Sequence, residues 1–233
     1  MDDLAVIIPC KNESDLAMRA ILEASNYCGT VVFVDDGSDD DSYEYAKKAR
    51  DICEDLNCNC DIVLLRNRKN MGKSHAVMKA LRYIKSNCDA EKVVLYDSDC
   101  QFPSNYILTF GMKLNTYDLV MGLRKRIPVL RKPLNILASK LFSLKVKLDF
   151  NLDFYTDIMC GLKGFKIDKI RFDTYEPESF NIDFAIPYYY IKTNKPNLNY
   201  KNIPVEVHYP KNVKSNVCLS NIIKTMKSVY NLK

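Results

Sequence analysis

No stretch of the 233 residues approaches the ~18–20 apolar positions needed to cross a bilayer. The N-terminus lacks a basic region: Asp2 and Asp3 stand there, and the apolar run from Leu4 to Ile8 is too short for the core of a secretory signal. A cytoplasmic location, or one on the cytoplasmic face of a membrane, is expected. Histidine is scarce: His75 and His208 are too isolated to suggest a metal pair or a catalytic triad, so structural roles are expected for both. Cysteine is plentiful but poorly spaced. Of nine cysteines, the only tight pair is Cys58-Asn59-Cys60, with no second pair or His-x-His cluster to complete four zinc ligands. Free thiols in a reducing compartment are the expectation. No Gly-x-Gly-x-x-Gly follows the first apolar run, which argues against a dinucleotide-dependent dehydrogenase. Gly72-Lys73-Ser74 lacks the earlier glycine of a phosphate-binding P-loop. With no internal repeat or low-complexity linker, one domain over residues 1–233 is expected.

What is present alternates. Leu4 to Pro9, Thr30 to Val34, Ile62 to Leu65 and Val93 to Tyr96 are short apolar runs of the kind buried strands show. Between them lie helical patterns through Ala20 and Ala24, through Ala46 and Cys53, and through Ala76 and Ile84. Four such alternations predict an α/β fold, a mostly parallel sheet with helices on both faces. Ligands of such sheets bind beyond the carboxyl ends of the strands. Those ends carry Pro9–Glu13, Asp35–Ser38, Asn70–Lys73 and Asp97–Gln101. The second half is less regular: strands are expected near Tyr117–Met121, Gly161–Ile167 and Ile203–Tyr209, and a helix at the end through Ile222, Met226 and Val229.

The carboxylates at the strand ends carry the chemistry. In extended backbone, alternate residues point to one side, so Asp97 and Asp99 converge on one point. Such an oxygen site suits Mg²⁺ or Mn²⁺, which take their remaining ligands from phosphates and water. Gln101 can add an oxygen. A solvated acidic turn is the alternative. Asp35-Asp36-Gly37-Ser38 permits a tight turn whose carboxylates accept bonds from a base or ribose, or else a turn in which Ser38 and Asp39 cap the next helix. Lys73 is a candidate phosphate ligand.

In this order and spacing, the pieces resemble the family 2 glycosyltransferases, and most closely their polyprenyl-phosphate (dolichol-phosphate) mannosyl- and glucosyltransferase branch. Val6 to Glu13 resembles that family's opening strand and "IP-x-x-NE" turn; Val34–Ser38, Asn70–Lys73 and Asp97–Gln101 follow. Gly122-Leu123-Arg124 is similar to its "GSR", Asp157 to Lys163 to its "D-x-x-SG-x-R", and Ile203-Pro204-Val205 to its late strand. The resemblance implies a GT-A fold, with residues 1–115 binding the nucleotide-sugar and 116–233 the acceptor. It implies that Glu13 and Asp36 hold the nucleoside, with Pro9, Asp35, Lys73 and Ser98 around the donor. Asp97, Asp99 and Gln101 would hold the metal on the diphosphate, and Arg124 and Arg131 the acceptor phosphate. There are departures: Cys160 and Lys163 replace Ser and Arg, Asp183 stands where Glu is usual, and near Pro210-Lys211 an expected arginine is missing. Lysine cannot reproduce arginine's bidentate fork.

The acceptor stays open at this stage. A lipid phosphate is already anionic and needs no general base, whereas a hydroxyl requires one, for which Asp157 is the candidate. From Gly122 to Leu148 there are eight Lys or Arg and no Asp or Glu. Leu134, Leu137, Leu141, Leu144 and Leu148 form a helical stripe within it. Such a basic amphipathic helix can lie in a membrane interface, or simply bury its leucines in the core. Peripheral membrane contact, and a membrane-anchoring partner protein, follow from the first choice. The basic run has no interleaved aromatics, so nucleic acid is not an expected partner. A saccharide or protein hydroxyl acceptor, and a non-catalytic nucleotide-sugar binder, are the competing functions.

Overall fold

The computed structural model describes residues 2–127, 132–178 and 181–209, with Lys227 and Tyr230. The predicted final helix and Lys211 therefore lie almost wholly outside the described residues. In chain order the elements are β1 (Leu4–Cys10), α1 (Asp15–Ser25), β2 (Thr30–Asp35), α2 (Ser42–Asp55), β3 (Asp61–Arg66), α3 (Lys73–Asn87) and β4 (Lys92–Leu95). There follow α4 (Asn105–Lys113), β5 (Leu119–Arg124), α5 (Lys132–Phe150), β6 (Lys163–Lys166), α6 (Ile182–Asn194) and β7 (Tyr200–Val205).

Among the described residues these strands form one sheet in the order β3-β2-β1-β4-β6-β5-β7. β1, β2, β3 and β4 run parallel, as the right-handed crossovers through α1, α2 and α3 require. β6 is antiparallel to both β4 and β5. The strand was expected from Gly161–Ile167, but its direction was not, because an apolar run carries no sense of polarity. The mixed α/β fold is of the GT-A type.

Side-chain alternation divides β1 and β2 between two cores. Ala5, Ile7, Val32 and Val34 face the layer of α3, α5 and α6. Val6, Ile8, Val31 and Phe33 face α1, α2 and α4. Both faces are covered, which is why these strands read as unbroken apolar runs rather than alternating ones.

α5 departs from one of its two expected arrangements. It buries Ala138, Phe142 and Val146, with Asn135 and Ser139, and Phe142 meets the edges of Phe154 and Phe184 at 6.1 Å. Three leucines of the stripe turn outward instead, Leu137, Leu144 and Leu148 being 49%, 48% and 68% exposed, while Leu134 and Leu141 are half-buried. Two apolar stripes are interleaved on this helix, and the aromatic one has the core.

Candidate active site

The carboxyl ends of β1, β2 and β4 bring the expected residues to one rim. After β1, Asn12 and Ser14 adopt positive φ (57° and 47°). Glu13 is fixed there by its amide, which donates to Ser42 Oγ at 2.9 Å. Ser98 is buried and donates from Oγ to the Pro9 carbonyl at 3.0 Å. Its hydroxyl and that carbonyl tie the β4 turn to β1.

Asp35 and Asp36 are spent on building the rim. Asp35 is fully buried, accepts the Ser38 amide at 2.9 Å and pairs with Arg66 Nε at 2.8 Å. Asp36 accepts from Asn67 Nδ2 at 2.8 Å and from the amides of Met71 and Gly72 at 2.9 and 2.6 Å. It thus anchors the turn that delivers Lys73 to the start of α3. Gly37 follows them at φ 68°, where a Cβ would come within 2.5 Å of the Lys69 backbone. Beside this turn a hollow of about 400 Å³ is lined by Gly37, Ser38, Arg66, Asn67 and Arg68.

At the end of β4, Asp97 and Asp99 lie in a turn with Cys100 at φ 51°. The Gln101 amide donates to Asp99 Oδ1 at 3.1 Å. Lys73 Nζ is 2.8 Å from Asp97 Oδ1. Gly161 covers the other oxygen so closely that a Cβ there would sit 1.9 Å from Asp97 Oδ2. Burial, with Asp97 as the next cause, pushes the Asp99 carboxyl up to about 6. Burial, then Asp99 and Asp97, pushes Glu13 up to about 7. Three carboxylates thus crowd a half-buried rim where Lys73 is the cation paired with one of them. That surplus of negative charge fits a divalent cation. Among the described residues no group of three or more His, Cys, Asp or Glu forms a closed metal cage. An open site of one or two carboxylates, completed by phosphate and water, is what Mg²⁺ and Mn²⁺ use.

On the far side, Arg124 closes a two-pronged ion pair on Asp157, Nε–Oδ2 2.6 Å and Nη2–Oδ1 2.8 Å. Asp157 is buried and Arg124 nearly so, and the expected phosphate ligand and the expected base neutralise each other. Arg131 lies outside the described residues. Lys163, Asp183 and His208 are all named from the sequence, but their pairing and place are not legible there. Lys163, fully buried, donates to the Cys160 carbonyl and pairs with Asp183 at 2.8 Å. Asp183 also reaches Lys73 at 3.4 Å. His208, set aside as isolated, is drawn to the rim by its amide, which donates to the Gln101 carbonyl at 2.9 Å. The sequence signals for this pairing are faint: a lysine inside an apolar strand, and an acid opening an apolar helix.

The family model described as glycosyl transferase family 2 matches residues 5–169, through all of these rim motifs. The chain belongs to glycosyl transferase family 2. It is a nucleotide-sugar-dependent glycosyltransferase. An uncharacterised protein of Methanocaldococcus jannaschii is 30% identical over 177 residues, covering 72% of this chain and 73% of that one. Among solved structures, glucosyl-3-phosphoglycerate synthase of Mycobacterium tuberculosis with Mn²⁺, UDP and phosphoglyceric acid superposes with a TM-score of 0.67 at 15% identity. That match covers 97% of this chain and 75% of the other. The same enzyme with Mn²⁺, UDP-glucose and phosphoglyceric acid gives a TM-score of 0.65, also at 15% identity, over 97% and 77%. At this identity the likeness speaks for the fold. In this glycosyltransferase the acids Glu13, Asp97 and Asp99 outnumber Lys73, the cation paired with Asp97, while Arg124 with Asp157 and Lys163 with Asp183 are matched pairs.

Proposed function

We propose that this glycosyltransferase moves a hexose from a nucleoside-diphosphate sugar to the phosphate of a polyprenyl phosphate at a membrane surface, with inversion at the anomeric carbon. Asp97 and Asp99, with Gln101 beside them, hold Mg²⁺ or Mn²⁺. When bound, the ion supplies Lewis acidity to the departing diphosphate. Glu13 faces the donor from the end of β1, and Lys73 adds a positive charge at the start of α3. The loop built by Asp35 and Asp36, with the hollow beside Arg66 and Arg68, receives the nucleoside. These residues bind and orient; leaving-group charge is met by cations already in place.

The observation that carries the acceptor assignment is the state of the two acids beyond the rim. Asp157 is locked by Arg124. Burial would raise the Asp183 carboxyl, but Lys163 and Lys73 outweigh it and hold it below the usual range. A carboxylate held this way is a poor base toward a hydroxyl. A phosphate oxygen needs none, only positioning. The outward face of α5 supports the lipid: Leu137, Leu144 and Leu148 are exposed between the exposed lysines Lys132, Lys140 and Lys147. Lysines near an anionic surface contribute about 1 kcal/mol each. Among the described residues no helix is long and apolar enough to cross the bilayer, so such contact is peripheral.

Incubation with labelled UDP-glucose or GDP-mannose, Mn²⁺ and polyprenyl phosphate tests this. Label should become organic-extractable and acid-labile. If label instead stays aqueous and appears only with phosphoglyceric acid or a saccharide, the lipid acceptor is wrong and the metal-dependent transfer stands.

A further inference from the structure

Lys73 occupies an electrostatically awkward place. It opens α3, where the helix dipole presents partial positive charge, and the first turn of that helix holds no acid to offset it. Its backbone has little freedom, since Asp36 fixes the amides of Met71 and Gly72 immediately before it. The side chain is only 12% exposed, and its ammonium lies between Asp97 at 2.8 Å and Asp183 at 3.4 Å. On the other side of Asp97 its second oxygen lies against Gly161, where an added Cβ would come within 1.9 Å of it. A divalent cation that takes Asp97 must therefore displace the ammonium or share the carboxylate with it. Asp183 is already within reach to receive the displaced charge, and Lys163 anchors it from the opposite side at 2.8 Å.

We infer that Lys73 holds the metal's place on Asp97, with Asp183 as the positioning residue that receives the ammonium, so that metal and nucleotide load together. This rests on the metal-dependent reading above and adds an order to it. Without nucleotide, the ion competes with Lys73 for Asp97 and binds weakly. With nucleotide, the diphosphate brings oxygens to the ion and a second anion for Lys73 to meet. The coupling is reciprocal: the ion must strengthen nucleotide binding by the factor by which nucleotide strengthens the ion. A donor site built this way stays closed to stray cations until the diphosphate arrives.

Calorimetric titration of the full chain with Mn²⁺, alone and with saturating UDP or GDP, measures the cycle. Lys73→Met should bind Mn²⁺ alone on the order of tenfold more tightly than the wild type, and the strengthening by nucleotide should shrink by the same factor. Lys73→Arg keeps the charge and should retain weak Mn²⁺ binding. Far-UV circular dichroism checks that each variant is folded. Equal or weaker Mn²⁺ binding by Lys73→Met overturns the inference, as does tightening by Lys73→Arg, which would mean that local packing and not charge sets the affinity. The underlying reading has its own signature. If wild type binds no Mn²⁺ with either nucleotide, the metal site falls and this inference with it. If wild type binds and Asp97→Ala does not, the site stands and Lys73→Met alone decides.

Discussion

The proposed donor rim and the proposed acceptor side of this glycosyltransferase handle charge in opposite ways. At the rim, Glu13, Asp97 and Asp99 crowd one another, and two of the three carboxyls are pushed up into the range of about 6 to 7. Across the site, Arg124 with Asp157 and Lys163 with Asp183 are closed ion pairs among buried surroundings. The first arrangement is unstable without a visitor, and the second is complete without one. A site that must accept a cation with each donor is built from surplus charge; a wall that must only hold its shape is built from neutralised charge. The two regions should therefore fail differently when mutated.

The sharpest break is Asp99→Ala. It should lower metal-dependent transfer by about a thousandfold or more and leave the melting temperature of the metal-free chain unchanged or raised, since it relieves repulsion. Residual transfer that persists in excess chelator would contradict the metal role. Arg124→Met should do the reverse, acting first on the fold. Leaving Asp157 buried and unpaired costs about 3–5 kcal/mol, a drop in Tm on the order of 10 °C for a chain of this size. Replacing both partners with leucine should recover much of that loss. If Arg124→Met leaves Tm alone and only raises the acceptor KM, the pair is not the closed unit described.

Gly161→Ala tests the contact between the two regions. A methyl group at this position would lie 1.9 Å from Asp97 Oδ2, so the carboxylate has to move. Displacements near 1 Å cost about a hundredfold in turnover, and Mn²⁺ affinity should fall with it. Wild-type kinetics in this variant would mean that Asp97 adapts freely, and the rim is looser than its geometry.

A pH series sharpens the same contrast. Glu13 and Asp99 titrate higher in the folded chain than in the unfolded one, where such carboxyls sit near their ordinary values of 4.5 and 3.8. The folded state therefore holds more protons between about pH 4 and 7, and these two groups make the metal-free protein less stable as pH rises through that window. Mn²⁺ relieves their repulsion only once they are ionised. The Tm increase on adding Mn²⁺ with nucleotide should be larger at pH 7.5 than at pH 5.5. An equal increase at both would sever the link between these acids and the ion.

Much of the donor region could be read from the chain, because there the local signals agree. Leu4–Cys10 and Thr30–Asp35 are buried along their whole length, so their apolar runs are unambiguous, and the motifs stand at their ends. The acceptor side was harder for identifiable reasons. Lys163 and Asp183 are separated by 20 positions and Lys73 and Asp183 by 110, so their pairing is a product of topology that no local pattern encodes. The motifs place Asp36 and Ser98 at the rim, but their bonds to the turn before α3 and to the Pro9 carbonyl depend on neighbouring segments that no local pattern specifies. On α5, the leucines and the Ala138, Phe142, Val146 set both repeat at helical spacing, and only the presence of Phe154 and Phe184 opposite decides between them.

That last ambiguity gives the mildest prediction. Leu144→Glu with Leu148→Glu alters side chains that are 48% and 68% exposed, so stability should change by no more than about 0.5 kcal/mol per site. Transfer to a short, water-soluble polyprenyl phosphate should be unaffected, because these positions touch neither the rim nor the ion pairs. Sedimentation with vesicles containing anionic lipid should fall sharply, since each leucine would otherwise bury apolar surface in the interface and each glutamate adds repulsion. If the double variant loses stability instead, the stripe is covered by protein, and α5 belongs with the closed acceptor wall rather than with a membrane.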